Sequence, residues 1–129
     1  KGLVGHSDAD VLTHAVMDAL LSAAGLPDIG VLFPDNDPST EGISSMTLLN
    51  RTLSAIGGVE ILSVSAVIIA TAPRLAPVIP RIRENLARHL NISLDRVNVS
   101  ATTTEGLGIV GQGLGMAATA TALIKKSVL

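Results

Sequence analysis

All six prolines of this 129-residue chain fall in two stretches, "GLPDIGVLFPDNDPSTEG" at 25–42 and "TAPRLAPVIP" at 71–80. Proline lacks a backbone donor and clashes with the preceding helical turn, so no helix interior or central strand crosses either stretch. A third break, "GLGIVGQGLG" at 106–115, holds five glycines, whose conformational freedom works against regular structure. The fold must be assembled from the blocks between these breaks.

The first block reads as a helix from about Asp8 to Ala24. Ser7 is its expected N-cap, Asp10 stands three residues on in a capping-box spacing, and Gly25 is its stop. Val11, Leu12, Ala15, Val16, Ala19 and Leu20 form its apolar stripe. The second block predicts a helix over Ser45–Ile56, closed by Gly57-Gly58, then a β-branched strand over Val59–Ala70, "VEILSVSAVIIA". The third predicts a helix over Pro80–Leu90, with Ile82, Leu86 and Leu90 at i, i+4 and i+8, and an alternating strand over Arg96–Ala101. "MAATATALIKK" alternates like a strand while alanine favours a helix, and both stay open. Strands mixed with three helices, without an internal repeat, predict one α/β or α+β domain over residues 1–129.

With 47% hydrophobic and 16% charged residues and a net charge of −2, the chain is neither a disordered tail nor a basic nucleic-acid binder. No window approaches the roughly 18 consecutive apolar residues of a spanning helix. Neither nucleic acid nor membrane is an expected partner. Cysteine is absent, which removes disulfides and thiolate metal sites. Phe33 is the one aromatic residue, so a nucleobase would meet backbone groups and aliphatic walls rather than a stacking platform.

Candidate chemistry sits in a few stretches. His6, Asp10, His14 and Asp18 recur at every fourth place, and His14 and Asp18 share a helix face. That pair reads either as a solvated edge or as a metal-binding imidazole whose other nitrogen donates to a carboxylate. One imidazole falls short of the three protein ligands typical of catalytic zinc, and His89 lies on a distant helix. His6-Ser7, at the expected helix start, reads as a cap, as an anion contact favoured by free N–H groups, or as both. Asp28 in "DIG" and Asp37 in "FPDNDP" fit Asx turns, and a carboxylate such as Asp28 also suits a ribose diol. "TTTE", Thr102–Glu105, has capping-box spacing, but the glycine-rich segment behind it cannot carry a helix. It leaves hydroxyls for phosphate oxygens and one carboxylate suited, with those oxygens, to Mg2+ or Mn2+. Neither a nucleophile set nor a P-loop spacing occurs.

Taken in order, "GHSDADVLTHAVMDALLSAAGLPDIGVLFPDNDP", "IIATAPRLAPVIPRIRENLA" and "VNVSATTTEGLG" resemble the 2-C-methyl-D-erythritol 2,4-cyclodiphosphate synthases. These are zinc-dependent cyclising enzymes of the non-mevalonate isoprenoid pathway, and the likeness spans essentially the whole chain. It implies an α+β fold, a mixed β-sheet packed against helices on one face as in chorismate mutase. It also implies a homotrimer with active sites between subunits. The implied reaction is that of a phosphorus–oxygen lyase. The 2-phosphate of 4-diphosphocytidyl-2-C-methyl-D-erythritol 2-phosphate attacks the β-phosphate and expels CMP. A substrate that brings its own nucleophile accounts for the absence of one in the protein.

Residue by residue, the resemblance implies His14 as a zinc ligand and Glu105 as the holder of Mg2+ or Mn2+. His6 and Thr103 would polarise the phosphates as the catalytic pair, with Ser7 assisting. Asp28, Ile29 and Gly30 would hold the ribose, while Phe33, Pro34, Asp35, Asn36 and Asp37 would line the methylerythritol side. Ala70, Thr71, Ala72, Pro73, Arg74, Leu75 and Ala76 would form the cytosine pocket, largely through backbone groups. Thr102, Thr104, Ile109 and Gln112 would complete the substrate contacts. The implied setting is the bacterial cytoplasm or a plastid.

The chain also departs from the family pattern. Its zinc site uses an Asp-x-His pair on an N-terminal strand, which the resemblance puts before Lys1; the chain reads as a piece lacking that strand, and His14 alone would bind zinc weakly. Ala9 stands in HSDAD where HSDGD is usual, Gln112 replaces a positive residue beside the glycine-rich loop, and Ser63 and Ser65 replace an Asn and Asp pair. The missing pair keeps a second reading open: a catalytically silent trimeric module that binds nucleotide and phosphate without a complete zinc site.

Overall fold

The computed structural model describes residues 2–34, 44–70, 77–103 and 117–126, with side chains for all of these but 2–9, 70 and 103. The elements run α1 (Gly2–Ala23), α2 (Ile29–Leu32), α3 (Ser45–Ile56), β1 (Val59–Ala70), α4 (Ile79–Leu90), β2 (Val97–Thr103) and β3 (Ala117–Lys126). A 3₁₀ turn over Leu94–Arg96 leads into β2.

β1 is central in a three-stranded sheet of order β2-β1-β3. It pairs parallel with β2, from Val64–Val97 to Ala70–Thr103, and antiparallel with β3, from Val59–Lys126 to Ile69–Ala117. A parallel pair needs a long crossover, and α4 supplies it. The register shifts between Ile61 and Ser63, leaving Leu62 as an extra residue against β3. Side chains alternate with period two, so this bulge changes which positions face inward. Ile61 before it and Val64, Ala66 and Ile68 after it are all buried.

The helices cover one face of the sheet. α1 lies over β3 and β1, α4 over β2, and α3 rests on both helices. Leu12, Val16, Met17, Leu20 and Leu21 of α1 are fully buried, and Ala118, Ala120, Ala122 and Ile124 of β3 pack against the same core. The small alanines keep the sheet surface low beneath the larger side chains of α1. The opposite sheet face presents Ser63, Ser65, Asn98, Ser100, Thr119, Thr121 and Leu123, all exposed. Among the described residues, no helix is long and apolar enough to cross a membrane.

Local chemistry explains the helix ends. The Ser44 side chain accepts from Thr47 N at 3.2 Å and caps α3. Replacing Ser44 by alanine is expected to lower stability by about 1 kcal/mol, read as a lower urea midpoint with an unchanged m-value. Thr52 is fully buried, and its Oγ1 donates to Leu48 O at 3.0 Å, which removes the penalty of burying a hydroxyl. Pro80 opens α4, where a missing N–H costs nothing. Asn91 ends it at φ 58°, and Ile92 N closes the turn on Ala87 O at 3.1 Å.

α3 and β1 have their predicted bounds, and α4 starts one residue early. β2 begins at Val97 because Arg96 N donates to Ser93 O in the 3₁₀ turn. The ambiguous last block is a strand: pairing with β1 outweighs alanine's helix propensity. The predicted start of α1 is wrong. The helix begins at Gly2, so Ser7 lies inside it and is not its N-cap. Gly5 ahead of Ser7 disfavours the helix by only about 1 kcal/mol, and extending a helix costs less than nucleating one. Asp10 closes no capping box either; its Oδ1 accepts from Ser45 Oγ at 2.7 Å and ties α1 to the first residue of α3.

Candidate functional site

Because β1 and β2 run parallel, their C-terminal ends emerge together. Ala70 and Thr103 are register partners, as are Ile69 and Thr102, and β3 enters at the same edge, with Ala117 opposite Ile69. The carboxyl ends of parallel strands are where ligands gather in open sheets. β1 and β2 thus end, and β3 begins, at the same end of the sheet. Thr71, Ala72, Pro73, Arg74, Leu75, Ala76, Thr104, Glu105, Ile109 and Gln112 lie outside the described residues, as do Asp35, Asn36 and Asp37.

α1 contributes its N-terminal half to this end. Its other end lies at the bottom of the sheet, where a Cβ added at Gly25 would stand 4.0 Å from Lys126 Nζ. The helix therefore runs in the same direction as β3, with His6 and Ser7 toward the Ala70–Thr103 edge. Since α1 starts at Gly2, their backbone amides belong to the helix interior rather than to a free N-terminus. The expected anion contact through those amides is thereby removed, and only their side chains remain for that role.

His14 is exposed on α1, and Asp18, one turn further on, is half-buried. Of the two readings open for this pair, neither anticipates the bond Asp18 makes: its Oδ1 accepts from Ile29 N at 2.9 Å. α2 begins there, and packing against α1 brings that amide to the Asp18 carboxylate. Asp28 is the N-cap of α2, its Oδ1 accepting from Val31 N at 3.0 Å. Its Oδ2 carries no hydrogen bond among the described residues. A Cβ at Gly30 would stand 3.3 Å from Asp28 Oδ1, so glycine keeps the carboxylate's place clear. Asp28, Gly30 and Val31 are exposed; Ile29, Phe33 and Pro34 are half-buried. The Asx-turn reading of Asp28 holds through Oδ1.

The predicted site residues do not all converge in one chain. The Asp28–Gly30 turn sits against α1, the helix over β3 and β1, whereas exposed Thr102 lies one residue before the end of β2, the strand on the other side of β1. Among the described residues no three His, Cys, Asp or Glu side chains converge as a metal site. His14 fits a zinc site as one exposed imidazole, and further ligands must come from elsewhere. A cleft of about 540 Å³, lined by residues including Glu60, Asn91 and Arg96, opens at the other end of the sheet and contains no predicted site residue. Sequence reasoning missed the Asp18–Ile29 contact; its one sequence signal is a carboxylate on a helix edge ahead of a Pro-Asp turn.

The profile of the YgbB family matches residues 1–125. The chain belongs to the YgbB family. This YgbB-family chain is 57% identical to a bifunctional enzyme IspD/IspF from Desulforudis audaxviator, over all of this chain but only 33% of that protein. It is 53% identical to a 2-C-methyl-D-erythritol 2,4-cyclodiphosphate synthase from Desulforamulus reducens, over 97% of this chain and 81% of that protein. A solved 2C-methyl-D-erythritol-2,4-cyclodiphosphate synthase in a CDP-bound form superposes with a TM-score of 0.79 at 34% identity, over 88% of this chain and 74% of that one. The family drawn from the three motif blocks and the α+β fold it implied both stand.

Proposed function

We propose that this chain converts 4-diphosphocytidyl-2-C-methyl-D-erythritol 2-phosphate to 2-C-methyl-D-erythritol 2,4-cyclodiphosphate and CMP. The observation that carries the reading is the Ala70–Thr103 pairing. It sets the start of the expected cytosine segment beside the strand end expected to meet phosphate. The names of the relatives just described agree with it.

In the reaction an oxygen of the 2-phosphate attacks the β-phosphorus. The bond from that phosphorus to the bridging oxygen breaks, and CMP leaves with its electron pair. The work of the protein is positioning and neutralising charge. Asp28 Oδ2 accepts from a ribose hydroxyl while Oδ1 stays on Val31 N. Backbone groups of 70–76 hold the cytosine. The hydroxyls of Thr102 and Thr103 donate to phosphate oxygens, joined by the side chains of His6 and Ser7. His14 would hold zinc with ligands from outside the described residues, and Glu105 would hold Mg2+ or Mn2+. Divalent ions so bound neutralise phosphate charge.

The same reading includes a homotrimer. The ribose turn sits against α1 and Thr102 lies in β2, so neighbouring subunits would complete each site. The uncovered sheet face carries no charge through its middle rows, Ser65–Asn98 and Val67–Ser100 on one side and Thr121 and Thr119 on the other. Leu123 is 58% exposed on that face. Such a surface suits burial against further copies. A bacterial cytoplasmic setting agrees with the bacterial sources of the relatives named.

The test is CMP release by the full-length protein with Zn2+ and Mg2+. One CMP per cyclodiphosphate formed is the expected result. No CMP, with CDP still bound, would overturn the enzyme reading in favour of the silent binding module.

A further inference from the structure

We propose that Asp18 is a positioning residue that holds the ribose-binding turn, an inference that rests on the assignment of Asp28 to the ribose. α2 has only four residues, Ile29–Leu32, too few to hold their own conformation in water. Its first amides need acceptors beyond the backbone turn that Val31 N and Leu32 N close on Asp28 O, each at 3.1 Å. Val31 N takes one from Asp28 Oδ1, at 3.0 Å, but that cap is local and moves with the turn. Ile29 N takes the other from Asp18 Oδ1, at 2.9 Å, across eleven residues of chain.

Asp18 is well placed to act as an anchor. It lies on α1 between Met17 and the Leu20–Leu21 pair, all three fully buried, so its backbone is fixed by the core. Ile29 and Leu32 add apolar contacts to that core. Those contacts are non-directional, whereas the hydrogen bond sets where the turn begins. Ile29 follows Asp28 directly. Fixing its amide fixes the backbone from which the Asp28 carboxylate projects, and with it the direction of Oδ2. Asp18 also lies one turn from His14, about 6 Å along the axis. One rigid helix thus carries the candidate metal ligand and the anchor of the ribose turn.

The experiment is calorimetric titration of the full-length protein with CDP and with 2′,3′-dideoxy-CDP, which lacks both ribose hydroxyls. The wild type is expected to prefer CDP, and Asp28→Ala to bind the two alike. Asp18→Ala is expected to bind CDP about tenfold more weakly, with dideoxy-CDP binding changed less than about twofold. Asp18→Asn keeps an oxygen acceptor and should retain most of the preference, which a loss of charge alone would not allow. Asp18→Ala that keeps the full preference while Asp28→Ala loses it overturns the anchor role and leaves the ribose assignment standing. Asp28→Ala that still prefers CDP removes the ribose assignment and the anchor role together. Should Asp18→Ala not fold, as read by circular dichroism, Asp18→Asn decides: a folded Asn variant without the preference overturns the inference.

Discussion

Replacing His14 by alanine in the full-length protein is expected to lower CMP release by about three orders of magnitude and to strip bound zinc. A Lewis-acid metal contributes several kcal/mol to neutralising transition-state charge, and each 1.36 kcal/mol is tenfold in rate. With three protein ligands typical of such sites, removing one leaves too few donors to retain the ion through dialysis. The position is favourable for a clean test. His14 is exposed on α1, and alanine is the best helix former, so the fold should not suffer. Metal content after dialysis and CMP release at saturating substrate are the two measurements, with a thermal melt as control. A His14→Ala protein that keeps its zinc would overturn the ligand role whatever its activity.

The fold was legible where local pattern and tertiary demand agree. α3 and β1 carry their own signals: a Gly-Gly stop for one, β-branched density for the other. α4 shows its buried stripe as Leu86 and Leu90. Agreement failed where a long-range partner decides. β3 is a strand because β1 offers it a ladder from Val59 to Ile69, which no property of "MAATATALIKK" announces. The bulge at Leu62 is invisible for the same reason. Read with strict alternation, Ile61, Ser63 and Ser65 share a face; the extra residue instead moves Val64, Ala66 and Ile68 inward.

At the site, residue types were legible and their partners were not. Helical spacing put His14 and Asp18 on one edge, and proximity along the helix made them look like a pair. The partner of Asp18 is the Ile29 amide, brought by the docking of α2. Likewise Ser7 and Asp10 have capping-box spacing, yet the bond Asp10 makes is to Ser45, 35 residues away. The division of the candidate residues between the α1 side and β2 is a property of topology, which a linear pattern does not contain. Motif blocks in order identify the family well because they sum many such hidden contacts.

Leu20→Ala is expected to destabilise the fold by about 3 kcal/mol, within the 2–5 kcal/mol usual for a buried leucine. Leu20 is fully buried in α1, in the same core as Met17, Leu21, Ile68 and the alanines of β3. Two features put the cost in the middle of that range or above it. Three of the four β3 side chains packed on this core are alanines, at 118, 120 and 122, too small to swing into the space left behind; Ile124 is the one large exception. The backbone of β3 is held by its ladder to β1, so the strand cannot close the gap by moving toward the helix. The cavity would therefore persist, and its volume adds to the lost transfer energy. Urea unfolding at one fixed protein concentration measures the loss, since assembly would make the midpoint depend on concentration. Leu123→Ala, on the exposed sheet face, is the matching control. In an isolated chain it should cost little, and in a trimer packed through that face it should shift assembly more than unfolding. A Leu20→Ala loss below about 1 kcal/mol would mean that the core around α1 collapses onto the gap, contrary to the rigid alanine floor derived from the sheet register.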